Sequence, residues 1–133
     1  MPFVRISLLR GKPAAYLRTV SDAVHQALVD AFGIPPADRF QAIHQHEPGE
    51  LIFDRDYLGG PRSDDFVLVC VTGGVQRDAA TKARLFRRLA DLLAQAPGLK
   101  PRDLMVIVQT ADADGWSFAD AIPALEAMRG AAR

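Results

Sequence analysis

Apolar and polar residues alternate along this chain with two periodicities, and these predict the order of its secondary structure. Short, nearly continuous apolar runs with β-branched residues are typical of strands, whereas apolar residues three to four apart indicate one face of a helix. The predicted strands are residues 2–9, 39–46, 65–72 and 103–110. The predicted helices are residues 14–32 and 78–96, with a shorter candidate at 122–128.

A repeated turn motif divides the chain into two similar halves. GIPPADRF (33–40) and GLKPRDLM (98–105) share Gly, aliphatic, Pro, Asp and apolar positions and lie 65 residues apart. Each copy follows a predicted helix and precedes a predicted strand, so residues 2–46 and 65–110 each form a β-α-β unit, followed by a tail at 111–133. We therefore predict one α/β (α+β) domain over residues 1–133, with a four-stranded sheet, two helices on one face and parallel strands within each half.

The other face of this sheet has no predicted cover. The strands read as apolar on both sides, which predicts oligomerisation through the sheet, because so large an exposed apolar surface is unusual in a monomer. The segment 47–65, with three glycines and two prolines, is long for a loop in a compact domain. Such loops are usually functional or pack on a partner.

Composition excludes several classes of function. Lys plus Arg and Asp plus Glu number 16 each, so no net charge attracts nucleic acid, and an RNA-binding ferredoxin-like sheet is disfavoured. The basic face of helix 78–96 is best interpreted as solvated. No apolar run reaches the length of a membrane span, and the single cysteine, Cys70, cannot form an internal disulfide. These features predict a soluble, cytoplasmic protein that does not bind a membrane.

Pro2 is the residue with the most distinctive chemistry. If Met1 is removed, Pro2 becomes a secondary amine at the start of a strand, able to act as a base or to condense with a carbonyl compound. The alternative is a proline that merely opens an edge strand. If Met1 is retained, Pro2 carries an amide nitrogen and cannot use this chemistry.

Four segments, AFGIPPADRFQ, HEPGE, RSDDFVLVCVT and GWSF, together with Pro2, resemble the tautomerase superfamily and most closely its malonate semialdehyde decarboxylase group. The resemblance implies a homotrimer that needs no cofactor or metal and acts on a small carboxylate-bearing oxo acid. Tautomerisation, decarboxylation and hydration all stay open. It also implies catalytic roles for Pro2, Asp38 and Arg77, with Arg77 holding the substrate carboxylate, and a substrate-binding apolar wall at Trp116 and Phe118.

The chain departs from the group at one position. The resemblance implies two arginines after the third strand, but only Arg77 is present, and Gly74 or Val75 stands where the first would be. This puts decarboxylation of malonate semialdehyde in question. The main alternative is a non-catalytic binding or signalling trimer that retains Met1.

Three further residues have structural interpretations. Asp103 repeats Asp38 in the second half, but the residue equivalent to Pro2 there is Val67, in mid-chain, so we predict that Asp103 is a turn residue. His44 and His46 would share one face of a strand, yet no third residue completes a metal site.

Overall fold

The computed structural model describes residues 1–131 and contains four strands and three α-helices. The elements are β1 (Pro2–Leu9), α1 (Ala14–Phe32), β2 (Gln41–His46), β3 (Val67–Gly73), α2 (Ala79–Gln95), β4 (Leu104–Thr110) and α3 (Ala124–Ala131). The predicted first strand and first helix match these bounds, and the other predicted elements differ by one to three residues at their ends. Residues 132 and 133 of the predicted tail lie outside the described residues.

The sheet has the order β2-β1-β3-β4, which confirms the predicted pair of β-α-β units. β1 is parallel to β2, β3 is parallel to β4, and the two halves join through the antiparallel pair β1 and β3. In this register Pro2 lies opposite Gly73. The start of β1, the start of β2 and the end of β3 therefore meet at one end of the sheet.

Local sequence sets the limits of the two long helices. α1 begins directly after Pro13, whose fixed φ suits a helix start. It ends at Phe32, and the next residue, Gly33, takes the left-handed conformation with φ 65°. α2 begins after Asp78, whose carboxylate caps it by accepting a 2.8 Å hydrogen bond from the Thr81 N–H. Arg77 therefore stands immediately before a well-capped helix.

The hydrophobic core lies between the two long helices and one face of the sheet. Inward-facing residues of β1 and β3 pack against residues four apart on each helix. They are Val4, Ile6, Leu8, Val67, Val69 and Val71 from the strands, and Val20, Val24, Leu28, Leu85, Leu89 and Leu93 from the helices. Each is at most 2% exposed, and burying a side chain of this size contributes roughly 1.5–3 kcal/mol.

The uncovered face of the sheet is less apolar than the sequence predicts. The expectation holds for β3 and β4, but it is wrong for β1 and β2, where Arg5, Ser7 and His44 lie on this face. Arg5 is accommodated because its guanidinium lies over the Phe3 ring at 5.3 Å and its Nη1 is 3.4 Å from His44 Nε2.

Candidate active site

Asp38 lies in a turn that is fastened to the side of α1. His25, a residue of α1 only 9% exposed, donates from Nε2 to the Pro36 carbonyl at 2.7 Å. On the other side of Asp38, Arg39 pairs with Asp22 of α1 at 2.7 Å. These contacts hold Asp38 at the entrance to β2, beside the start of β1.

The beginning of the chain reaches this aspartate. The terminal amine of Met1 is 3.1 Å from Asp38 Oδ2, and the two side chains are only 12% and 16% exposed. The Met1 carbonyl accepts a 3.1 Å hydrogen bond from the Gly74 N–H. Pro2 itself is buried opposite Gly73. Asp38 and the nitrogen-bearing start of β1 are therefore brought together.

Aromatic residues of the tail extend along this end of the sheet. The Ala111 N–H donates to the Gly73 carbonyl at 2.8 Å, and Trp116 Nε1 donates to the Ala111 carbonyl at 3.0 Å. The Trp116 and Phe118 rings stack with centroids 5.9 Å apart, and the centroids of the Phe118 and Phe40 rings are 5.6 Å apart. The predicted wall residues thus form one aromatic row next to the turn that carries Asp38.

Arg77 lies at the same end of the sheet, and neighbouring groups hold it in place. Its Nη1 donates to the Val75 carbonyl at 3.1 Å and its Nη2 to the Phe32 carbonyl at 3.2 Å. The guanidinium lies 4.2 Å over the Phe32 ring, and Nη1 is 3.6 Å from where a Cβ on Gly73 would lie. Two of its five N–H groups are thus used by backbone carbonyls.

Partial burial removes some of the water around the Arg77 guanidinium. Desolvation lowers the pKa of Arg77, and among residues 1–131 no carboxylate lies within ion-pair distance of its guanidinium. A cation in this situation gains from an incoming anion. Val75, at one candidate position of the absent arginine, is 54% exposed.

Asp103 performs a different task from Asp38, although the two occupy equivalent positions in the repeat. It lies in the short 3₁₀ turn Pro101–Asp103 before β4, as predicted, and is 1% exposed. Its carboxylate accepts hydrogen bonds from the Ser63 N–H at 2.6 Å and the Ser63 hydroxyl at 2.7 Å. Asp103 therefore fixes the end of the long loop to the sheet.

Residues 1–131 show neither a metal site nor a membrane-spanning helix. No group of three His, Cys, Asp or Glu residues in that range is arranged to hold a metal ion, and His44 faces Arg5. None of the helices in this part of the chain is both long and apolar enough to cross a membrane.

Comparison with known proteins identifies the family. Two tautomerase enzyme family models match, one over residues 38–119 and the other over residues 2–60. YusQ and YrdN from Bacillus subtilis strain 168, each named a probable tautomerase, are 30% and 32% identical over 118 residues. These alignments cover 89% of this chain and 93% and 91% of the relatives. The chain belongs to the tautomerase family.

Solved structures show the same fold. Malonate semialdehyde decarboxylase, with decarboxylase and hydratase activities, is 32% identical with a TM-score of 0.88, covering 97% of this chain and 98% of its own. The FG41 malonate semialdehyde decarboxylase inhibited by 3-bromopropiolate is 30% identical with the same TM-score, covering 96% of each chain. A fused 4-OT symmetric trimer, 18% identical with a TM-score of 0.76 over 94% and 98%, shares the fold.

Sequence reasoning did not identify every residue at this end of the sheet. His25 and Phe40 contact the site only through chain segments brought together by folding, so periodicity gave no indication of them. Gly74 had a partial signal, because a glycine pair ends β3.

Proposed function

We propose that this protein, after removal of Met1, is an enzyme that acts on a small oxo acid with the amine of Pro2. Asp38 and Arg77 assist, and Trp116 and Phe118 form the apolar wall. The observation that most supports this proposal is the 3.1 Å ion pair between the Met1 amine and Asp38. A carboxylate already pairs with nitrogen at the start of β1, next to the atom that would become the free amine.

Each group would have a definite task. Pro2, the buried first residue of β1, would serve as a base or would form an iminium ion with the substrate carbonyl. Asp38 would hold the protonated amine or a water molecule beside the reacting carbon. Arg77 retains three unused N–H donors, which would bind the substrate carboxylate in a site where the aromatic row excludes water.

The reaction class is best narrowed through the similar proteins. Malonate semialdehyde decarboxylase, the solved relative with 32% identity, points to decarboxylation or hydration of a 3-oxo acid. The two Bacillus relatives point to tautomerisation. Because this chain has one arginine after β3, Arg77, instead of the two that the resemblance implies, we expect weaker binding of the substrate carboxylate. Losing one charged hydrogen bond costs about 1.5–3 kcal/mol, which corresponds to an affinity loss of about tenfold or more.

We also propose that the working form is a homotrimer assembled through the uncovered sheet face. The long loop exposes Ile52 and Leu58, each 87% exposed, and borders an apolar cavity of about 570 Å³ with Leu68 and Met105. Within this loop Arg55 pairs with Asp64 at 2.8 Å. Sedimentation should give a stable trimer, and a monomer at micromolar concentration would contradict this assembly.

The decisive experiment compares two forms that differ only in Met1. Protein treated with methionine aminopeptidase and protein retaining Met1 are assayed with a panel of 2-oxo and 3-oxo acids, after mass spectrometry of both N-termini. We expect turnover only in the processed form, because acylation ties up the nitrogen lone pair. The variant Pro2→Ala, which keeps a primary amine after processing, should retain partial activity. Equal activity with and without Met1 would remove Pro2 from the mechanism.

A non-catalytic binding trimer is the second candidate, and one observation favours it. Met1 fits its surroundings, since its carbonyl accepts a hydrogen bond from the Gly74 N–H. An N-terminal mass measured on protein from native cells separates the two functions, because retained Met1 would exclude amine catalysis.

A further inference from the structure

Met1 is attached to the nitrogen on which the proposed chemistry depends. Its carbonyl carbon is bonded to Pro2 N, the position that the carbonyl carbon of a substrate would take on adding to the free amine. The Met1 acyl group is thus a covalent stand-in for an adduct on Pro2. Whatever its oxygen contacts is a candidate partner for the oxygen of a substrate carbonyl.

That oxygen contacts a backbone donor. The Gly74 N–H, one residue beyond the end of β3, donates to the Met1 carbonyl at 3.1 Å. When Met1 is removed this N–H loses its acceptor while staying beside Pro2, because Gly73 is the partner of Pro2 in the ladder. Gly74 is partly buried, and an unpaired N–H in such a place favours a new acceptor.

The absence of a side chain at Gly74 keeps this space open. A Cβ there would lie 2.6 Å from Met1 Cε and 3.3 Å from Met1 Cβ, within the volume that Met1 occupies. It would also lie 3.5 Å from Trp116 Nε1, which is ordinary contact. Gly74 and Trp116 thus border the space that Met1 would leave, and Asp38 lies beside the position of the Met1 amine.

We propose that in the processed chain the Gly74 N–H binds the carbonyl oxygen of the substrate and stabilises the negative charge that develops there. This proposal rests on the proposed function. The Pro2 lone pair forms the new C–N bond while the C=O π pair moves to oxygen, giving an alkoxide that accepts from Gly74. The proton on the now cationic nitrogen passes to that oxygen and gives a neutral carbinolamine. A second proton, taken from solvent, converts the hydroxyl group to water, which leaves as the nitrogen lone pair forms the C=N bond of the iminium ion. Gly74 thus supplies, from the backbone, a donor near the position where the absent arginine would stand.

The test replaces the Gly74 amide by an ester, with glycolic acid in place of Gly74 in the processed chain. This change deletes the N–H and adds no bulk, but it also weakens the Gly73 carbonyl as an acceptor. Lactic acid in place of Ala111 is therefore the matched control, because it removes the hydrogen bond from Ala111 to Gly73 and leaves the Gly74 N–H intact. The readout is the rate at which cyanoborohydride traps pyruvate on Pro2, followed by mass spectrometry.

We expect the ester at Gly74 to slow trapping by about 10²-fold, the usual effect of losing one oxyanion donor, and the ester at Ala111 to stay within about threefold of the unmodified protein. Equal rates for the two esters would overturn the proposal. A second measurement needs no variant: the amide proton of Gly74 should shift downfield in the NMR spectrum when pyruvate is added, and an unmoved signal would also overturn it. If unmodified processed protein neither turns over any oxo acid nor is trapped, the proposed function itself fails.

Discussion

Replacing Asp103 with alanine is expected to destabilise the fold by about 2–4 kcal/mol while leaving the chemistry around Asp38 in place. Asp103 is 1% exposed and accepts two short hydrogen bonds from Ser63. Hydrogen bonds to a charged group contribute roughly 1.5–3 kcal/mol each. Part of this is offset because the variant no longer buries a carboxylate, and because Ser63 is partly exposed, so that water can replace its lost acceptor.

The size of this effect can be checked by equilibrium unfolding in urea. Unfolding is followed by circular dichroism and by Trp116 fluorescence at one fixed protein concentration, since the stability of an oligomer depends on concentration. A loss of 2–4 kcal/mol is a large part of the roughly 5–15 kcal/mol of a typical domain, and it should lower the Tm by about 5–15 °C. The milder variant Asp103→Asn, which keeps the shape and one acceptor, should lose less.

Matched variants separate the loss of the hydrogen bonds between Asp103 and Ser63 from a general effect of losing a carboxylate. Ser63→Ala removes the hydroxyl bond to Asp103 and also the 3.1 Å bond that the Asp65 N–H donates to the same hydroxyl. The double variant with Asp103→Ala should cost less than the sum of the single changes by about 1 kcal/mol. Asp38→Ala in the processed chain should abolish most activity with a much smaller loss of stability. If the free energy of unfolding of Asp103→Ala lies within about 0.5 kcal/mol of that of the unmodified protein, the hydrogen bonds between Asp103 and Ser63 do not hold the loop.

Three further outcomes follow from charges and burial. In the processed chain, Asp38→Asn should shift the rising limb of the pH–rate profile to lower pH by about one unit, because a neighbouring carboxylate favours the protonated amine of Pro2. A shift to higher pH would refute this pairing. Desolvation raises the pKa of the Cys70 thiol, so alkylation near neutral pH should be slow in the assembled protein and faster after unfolding, and equal rates would mean that the sheet face is open. The hydrogen bond from Arg88, and then that from Gln26, lowers the pKa of Asp30. Arg88→Ala should therefore lower the free energy of unfolding by at most about 1 kcal/mol at neutral pH, and this difference should fade as the pH falls below about 4.

The fold could be predicted from local sequence patterns, because each helix and strand has its own pattern of apolar residues or its own end residues. Pro13 and Gly33 mark the ends of α1, and alternating or continuous apolar runs define the strands. The polarity of the uncovered face was misjudged because strand propensity does not show which side a residue faces. Arg5 lies within the apolar run of β1, and pairing with β2 brings it beside His44.

The candidate site was less accessible to sequence reasoning, because it depends on contacts between distant segments. Pro2 and Asp38 stood out through chemistry and resemblance, but the support of the Asp38 turn by His25 becomes visible only when α1 is packed beside it. Arg77 was assigned from alignment alone. The cation–π contact with Phe32 and the bonds to two carbonyls, which restrict where the guanidinium can reach, required the folded chain.

The duplication explains why only the first half offers the amine chemistry proposed above. A shift of 65 residues carries Met1 onto Phe66 and Asp38 onto Asp103. Because β1 and β3 are antiparallel, these two places lie at opposite ends of the sheet. Phe66 is 2% exposed, stacks on Phe53 at 4.2 Å and is joined to the chain on both sides, so its place is permanently filled. Met1 directly precedes Pro2, and cleaving the peptide bond between them would free the Pro2 amine. The two equivalent aspartates follow this difference: Asp103 accepts from the backbone and side chain of Ser63, whereas Asp38 is left beside a nitrogen that processing would free.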